Sequence, residues 1–133
     1  MKRFVIMLLA LLLLTGCGAR NPQEPGADAY RQISMEEAVS VMEEEREYIL
    51  LDVRTSAEFV ERHIPGAINI PNEEIGIDAL PELPDKDALI LVYCRSGNRS
   101  KQASEKLVRR GYTNIVEFGG INDWPGETVS GAE

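Results

Sequence analysis

One cysteine is placed where chemistry is possible. The apolar run Ala88-Leu89-Ile90-Leu91-Val92-Tyr93 leads directly into Cys94-Arg95-Ser96-Gly97-Asn98-Arg99-Ser100. A cysteine at such a junction can be inert filler, a metal ligand, half of a disulfide or a nucleophile. Residues 94–99 join a predicted buried strand to a predicted helix in very few steps. Gly97 can take a backbone conformation closed to other residues. A loop this tight tends to turn successive N–H groups inward as an anion-binding nest. The helix that follows adds its unpaired N–H groups and the positive end of its dipole. Arg95 and Arg99 add full charges. These features favour a negatively charged sulfur acting as nucleophile on an anionic substrate. The plainer alternative is a small apolar residue ending a strand, but inert cysteines seldom sit in electropositive, partly exposed loops.

The cysteine count narrows the choices. The chain has two, Cys17 and Cys94. Lys2 and Arg3 begin the sequence, Phe4 to Leu14 is unbroken apolar, and Leu14-Thr15-Gly16-Cys17 follows. This is the layout of a secretory signal peptide, and the run is short for a membrane span. Its LTGC end resembles the lipobox of bacterial lipoproteins. That resemblance implies cleavage before Cys17, a diacylglycerol on its sulfur and acylation of the new amino end. Residues 1–16 are then the signal peptide. Residues 18–30, GARNPQEPGADAY, hold two prolines and two glycines and read as a flexible tether. Several acyl chains anchor a protein firmly, whereas one is marginal. The expected location is extracytoplasmic, on the outer face of a single cytoplasmic membrane or on a periplasmic leaflet. With Cys17 lipidated, Cys94 has no internal disulfide partner and no second thiolate for a metal site. A single leftover thiol outside the cytoplasm is reactive or intermolecular. No histidine cluster or acidic ligand pattern points to a metal, and no cofactor is called for.

Composition excludes other classes. Of 133 residues, 14 are Lys or Arg and 22 are Asp or Glu, a net charge of -8. That balance argues against a nucleic-acid binder and against docking on anionic lipid through a polybasic surface. The run EEERE at 43–47 reads as a solvated helix face. The length suits one domain, expected over 31–130, and a monomer is the default.

The elements that must position Cys94 follow from pattern. Ser34-Met35-Glu36-Glu37 is a capping box, and Ala38, Val39 and Met42 recur at helical spacing, which predicts a helix over about 35–46. Tyr48-Ile49-Leu50-Leu51-Asp52-Val53 reads as a buried strand. Thr55-Ser56-Ala57-Glu58 opens a second helix to Glu61. Pro65-Gly66 supplies a turn before a short strand, Ile68-Asn69-Ile70. Residues 72–80 are a candidate short helix. Ala88 to Tyr93 is the second clear strand, 100–110 a helix ended by Gly111, and Asn114 to Phe118 a third strand. Strands alternating with helices predict an α/β fold with a mainly parallel central sheet flanked by helices. Ligands in such sheets bind beyond the carboxyl ends of the strands. Asp52 and Cys94 both sit at such ends and share a crevice if their strands are neighbours.

Four stretches, in order, resemble a single-domain rhodanese, a sulfurtransferase: Leu51-Asp52-Val53-Arg54 with Glu58-Phe59; His63-Ile64-Pro65-Gly66-Ala67; Cys94-Arg95-Ser96-Gly97-Asn98-Arg99-Ser100; and Gly119-Gly120 with Trp124. They span about residues 31–126. The resemblance implies a rhodanese-like fold and a Cys94 that takes a sulfane sulfur from a donor such as thiosulfate. The persulfide so formed passes its sulfur to a thiol or cyanide, a two-step covalent catalysis. Arg95 and Arg99 would bind the small anionic donor. Ser96, Gly97 and Asn98 would act through their backbone. Asp52 is expected to pair with an arginine near the loop as structural support, and Arg54 to be structural too. His63, the only histidine, reads as a packed or capping imidazole rather than a base, and Trp124 as a packing residue.

Two rivals share the fold. A phosphatase or arsenate reductase of this type resembles a longer loop, with arginine six positions after the cysteine. Here Arg99 is at the fifth and Ser100 at the sixth, a smaller cradle better matched to a sulfur atom. A non-catalytic membrane-tethered binding module would usually lack the cysteine.

Overall fold

A computed structural model describes residues 30–132; the signal-like leader, Cys17 and all of the expected tether but Tyr30 lie outside the described residues. The described strands are β1 (Arg31–Gln32), β2 (Ile49–Asp52), β3 (Ile68–Asn69), β4 (Ile90–Cys94) and β5 (Ile115–Gly120). The helices are α1 (Met35–Glu44), α2 (Ser56–Glu61) and α3 (Asn98–Arg109). Single 3-10 turns occupy Asn72–Glu74 and Ile121–Asp123. The strands form one sheet in the order β1-β5-β4-β2-β3, with each pairing between these strands parallel. All residues of β4 are buried, as its position at the centre requires.

Alternation along β4 sorts the core into two layers. Ile90, Val92 and Cys94 face the side covered by α3, where Ala103 and Leu107 pack with Leu51, Val53 and Ile115. Leu91 and Tyr93 face the other side, with Ala38 of α1, Phe59 of α2, Val116 and Phe118. Cys94 therefore points toward α3, because side chains on a strand alternate between faces. Strands buried on both faces carry continuous apolar runs, which is why β2 and β4 stand out in the sequence.

Several predicted bounds shift. The helix expected over 35–46 ends at Glu44, so the exposed EEERE run straddles its C-terminus. The candidate helix at 72–80 is one 3-10 turn, since Gly76 and the nearby prolines give it no further helical continuation. The helix expected from Ser100 begins at Asn98, which puts Asn98 and Arg99 on its first turn. β1 has no counterpart in the sequence reading; two residues carry no period.

Candidate active site

Two adjacent loops leave the carboxyl edge of the sheet, because β2 and β4 are neighbours with Asp52 opposite Tyr93. The β2–α2 loop is built on side chains. Asp52 is fully buried, and Arg54 grips it: Nε lies 3.0 Å from each carboxylate oxygen and Nη2 2.6 Å from Oδ2. Arg54 also donates to the Arg62 carbonyl at 2.6 Å and lies over the Tyr93 ring, 5.9 Å from its centroid. The expected pairing of Asp52 thus falls on Arg54. Asp52 is sealed beneath that guanidinium and does not open onto a crevice.

The β4–α3 loop is built on backbone. Gly97 caps α3 with φ +117°, a left-handed conformation that glycine adopts at little cost, and no side chain caps this helix. The turn brings the Gly97 N–H to 3.0 Å from Cys94 Sγ, while the Ser100 hydroxyl lies 3.3 Å from the same sulfur. Cys94 is only 1 % exposed. The expectation of a partly exposed cysteine is corrected: the residue completes a central strand, and α3 closes over its side-chain face.

β5 forms the floor. Between Val92↔Glu117 and Cys94↔Gly120 the β4–β5 register slips, and Gly119 within the irregularity has φ +96°. A Cβ on Gly120 would stand 2.0 Å from the Arg95 carbonyl oxygen and 2.5 Å from Ser96 N. Only glycine lets the strand lie this close beneath the loop. The Asn122 N–H then donates to the Arg95 carbonyl at 3.2 Å.

The two arginines of the loop differ. Arg95 is exposed and lines a polar cleft of about 310 Å³ with Arg54, Glu58, Glu61, Arg62, Ile121 and Asn122. Arg99 is held by Glu58, Nη1 to Oε2 at 2.7 Å and Nη2 to Oε1 at 3.0 Å. The same Glu58 carboxylate completes the Thr55 capping box of α2. The Arg99 hydrogen bonds, with help from Thr55, hold the Glu58 carboxyl down to about 2. Arg99 is raised in turn, first by Glu58 and less by the nearby Cys94. Ser96 and Asn98 are exposed.

His63 is buried, with Nδ1 2.8 Å from the Phe59 carbonyl and its ring stacked on Phe59 at 3.8 Å. That is the packed imidazole expected, and the ring is tied into α2 rather than the Cys94 loop. Trp124 packs against the α1 side of the core. Buried Tyr93 accepts the Ile64 N–H at 3.1 Å, and burial pushes its phenol up.

Three residues contribute to the site in ways the sequence reading does not assign: Glu58, Ser100 and Glu117. Glu58 is read there as a capping residue and a member of the first motif, with no tie to Arg99. Ser100 is read as the last residue of the Cys94 motif, with no contact to the sulfur. Glu117 has a signal, an acid inside the apolar strand IVEF, and it is buried.

The rhodanese-like domain family matches residues 34–127. Thiosulfate sulfurtransferase PspE of Escherichia coli is 40 % identical over 73 residues, which is 55 % of this chain and 70 % of that protein. Thiosulfate sulfurtransferase GlpE of Pseudomonas entomophila is 33 % identical, over 77 % of this chain and 94 % of that one. A solved structure described as a rhodanese with anions from E. coli superposes with a TM-score of 0.58 at 37 % identity, covering 63 % of this chain and 99 % of its own. The shared fold, the four ordered motifs and the buried cysteine at the strand-to-helix junction agree: the chain belongs to the rhodanese-like domain family and is a sulfurtransferase of rhodanese type, with Cys94 in the active-site position.

Proposed function

We propose that Cys94 is the nucleophile that removes the outer sulfur of thiosulfate or a similar small anionic donor. The Cys94 thiolate attacks the sulfane sulfur, the donor's S–S bond breaks, and sulfite leaves with the electron pair. A thiol or cyanide then attacks the outer sulfur of the persulfide, and the Cys94 thiolate departs with the pair. The observation that carries this reading is the Gly97 N–H aimed at Cys94 Sγ from the uncapped start of α3. Backbone donors already in place stabilise charge on sulfur without reorganisation. Arg95, exposed on the cleft, receives the anionic donor. Arg99 adds its charge from the Glu58 pair and holds the loop's shape. Ser96, Gly97 and Asn98 contribute backbone. Incubation with thiosulfate should add one sulfur to the intact mass of freshly reduced protein, removable by cyanide. Absence of the adduct would overturn the assignment, and Cys94→Ser is the control.

We further propose that Cys17 is the lipidated residue and that residues 18–30 tether the domain to the outer side of a bacterial membrane. The support is the order of basic start, apolar run and LTGC. Labelled fatty acid should enter the wild-type chain and not Cys17→Ser; equal incorporation in both would refute it.

A further inference from the structure

Behind the nucleophile lies a buried acid that the sulfur-transfer steps above do not use. Glu117 is 3 % exposed, and among the described residues no cation pairs with it. Its Oε1 accepts the Ser100 hydroxyl at 2.6 Å and the Gly119 N–H at 2.8 Å, and Oε2 lies 3.4 Å from Gln32 Nε2 of β1. The Ser100 oxygen is also 3.3 Å from Cys94 Sγ. It lies 2.9 Å from the Gly97 carbonyl and 3.3 Å from the Gly119 carbonyl. A hydroxyl has one hydrogen to donate. The shortest contact, to an acceptor-only carboxylate, claims it. The Ser100 lone pairs are then left to face the sulfur.

We infer that Glu117 is a positioning residue for the sulfur-transfer reaction, sharing one proton with Cys94 through the Ser100 hydroxyl. As the donor approaches, the Cys94 S–H bond breaks and its proton binds Ser100 Oγ. The original Ser100 O–H bond breaks, and that proton binds Glu117 Oε1. The products of the transfer are a Cys94 thiolate and a neutral Glu117 acid. Total charge is conserved, which suits a site closed to solvent, where separated charge is costly. The groups facing this line are few. Ser100 and Arg99 approach from α3, and Arg99 is held by Glu58 of α2, with Glu73 of the first 3-10 turn acting on the same guanidinium. Gln32 approaches from β1, and Arg95 stands exposed on the outer side.

The inference rests on Cys94 being the sulfur acceptor, and one experiment separates the two. The rate of persulfide formation from thiosulfate is measured by rapid mixing as a function of pH for wild type, Glu117→Gln, Ser100→Ala and the double variant. With an internal proton acceptor, the wild-type rate should be nearly flat from about pH 7 down to about pH 5.5, above the range in which ordinary carboxylates take up protons. In either single variant the thiol must lose its proton to solvent. Its rate should fall about tenfold for each pH unit on that limb. The double variant should match Ser100→Ala, because Glu117 acts through Ser100. If wild type forms no persulfide, the Cys94 assignment fails. If it does, and the variants keep the wild-type slope at a scaled rate, Glu117 is merely structural and the inference is overturned. Should Glu117→Gln not fold, the Ser100→Ala slope decides alone.

Discussion

The β2–α2 and β4–α3 loops start from neighbouring parallel strands and end in helices, yet they treat the helix N-terminus in opposite ways. Every α-helix begins with N–H groups that lack intrahelical partners. In the first loop Thr55 and Glu58 form a reciprocal capping box, and Asp52 and Arg54 fill the space beneath it. In the second loop no side chain caps the helix; its Gly97 N–H is left to the sulfur. A closed helix end stabilises the fold, and an open one leaves donors for a ligand. Glu58 connects the two, capping α2 and gripping Arg99 at the start of α3.

Removing the sulfur breaks the comparison most sharply. Cys94→Ser should reduce sulfur transfer to background while leaving the thermal midpoint almost unchanged, since a serine oxygen still accepts the Gly97 N–H. Loss of folding in that variant, seen by circular dichroism, would show the cysteine to be structural. Next is Gly120→Ala, whose methyl would overlap the Arg95 carbonyl 2.0 Å away. A cost of about 3 kcal/mol in urea unfolding is expected, with loss of persulfide formation as the loop is displaced.

Glu58→Gln tests the bridge between the loops. It should cost about 1–2 kcal/mol, because it weakens both a cap and a two-point ion pair. The wild-type protein has a corresponding acid limb. The folded Glu58 carboxyl titrates at about 2 against an ordinary 4.5, so its stabilisation is present above 4.5 and is lost as pH falls toward 2. Urea midpoints between those pH values should converge for wild type and Glu58→Gln; a constant gap would contradict the assignment. The smallest effect belongs to Thr55→Ala, about 1 kcal/mol of stability with persulfide formation unchanged. A large loss of sulfur transfer there would mean that the closed helix end also serves chemistry.

How much of this was legible in the sequence depends on the range of each interaction. β2 and β4 announce themselves as apolar runs because both faces are buried, and both capping boxes are written within four residues. The Cys94 loop was legible for the same reason, since its parts are consecutive. Glu58 and Arg99 meet across 41 positions, so neither could be assigned the other from local pattern. Glu117 meets Ser100 across 17 positions, on the sheet face that α3 covers, and nothing local to either residue signals the other. The burial of Cys94 was missed because a glycine-containing basic loop suggests exposure, whereas the sulfur turns inward under α3.

That inward turn bears on the fate of an unpaired thiol. A disulfide between two chains needs sulfurs about 2.05 Å apart and Cα atoms within about 7 Å. Two copies of a cysteine 1 % exposed at the end of a central strand cannot meet that geometry while both loops stay folded. Covalent dimerisation is blocked by shape. The free thiol is therefore kept from its own copies by the fold and not by a second cysteine in the domain.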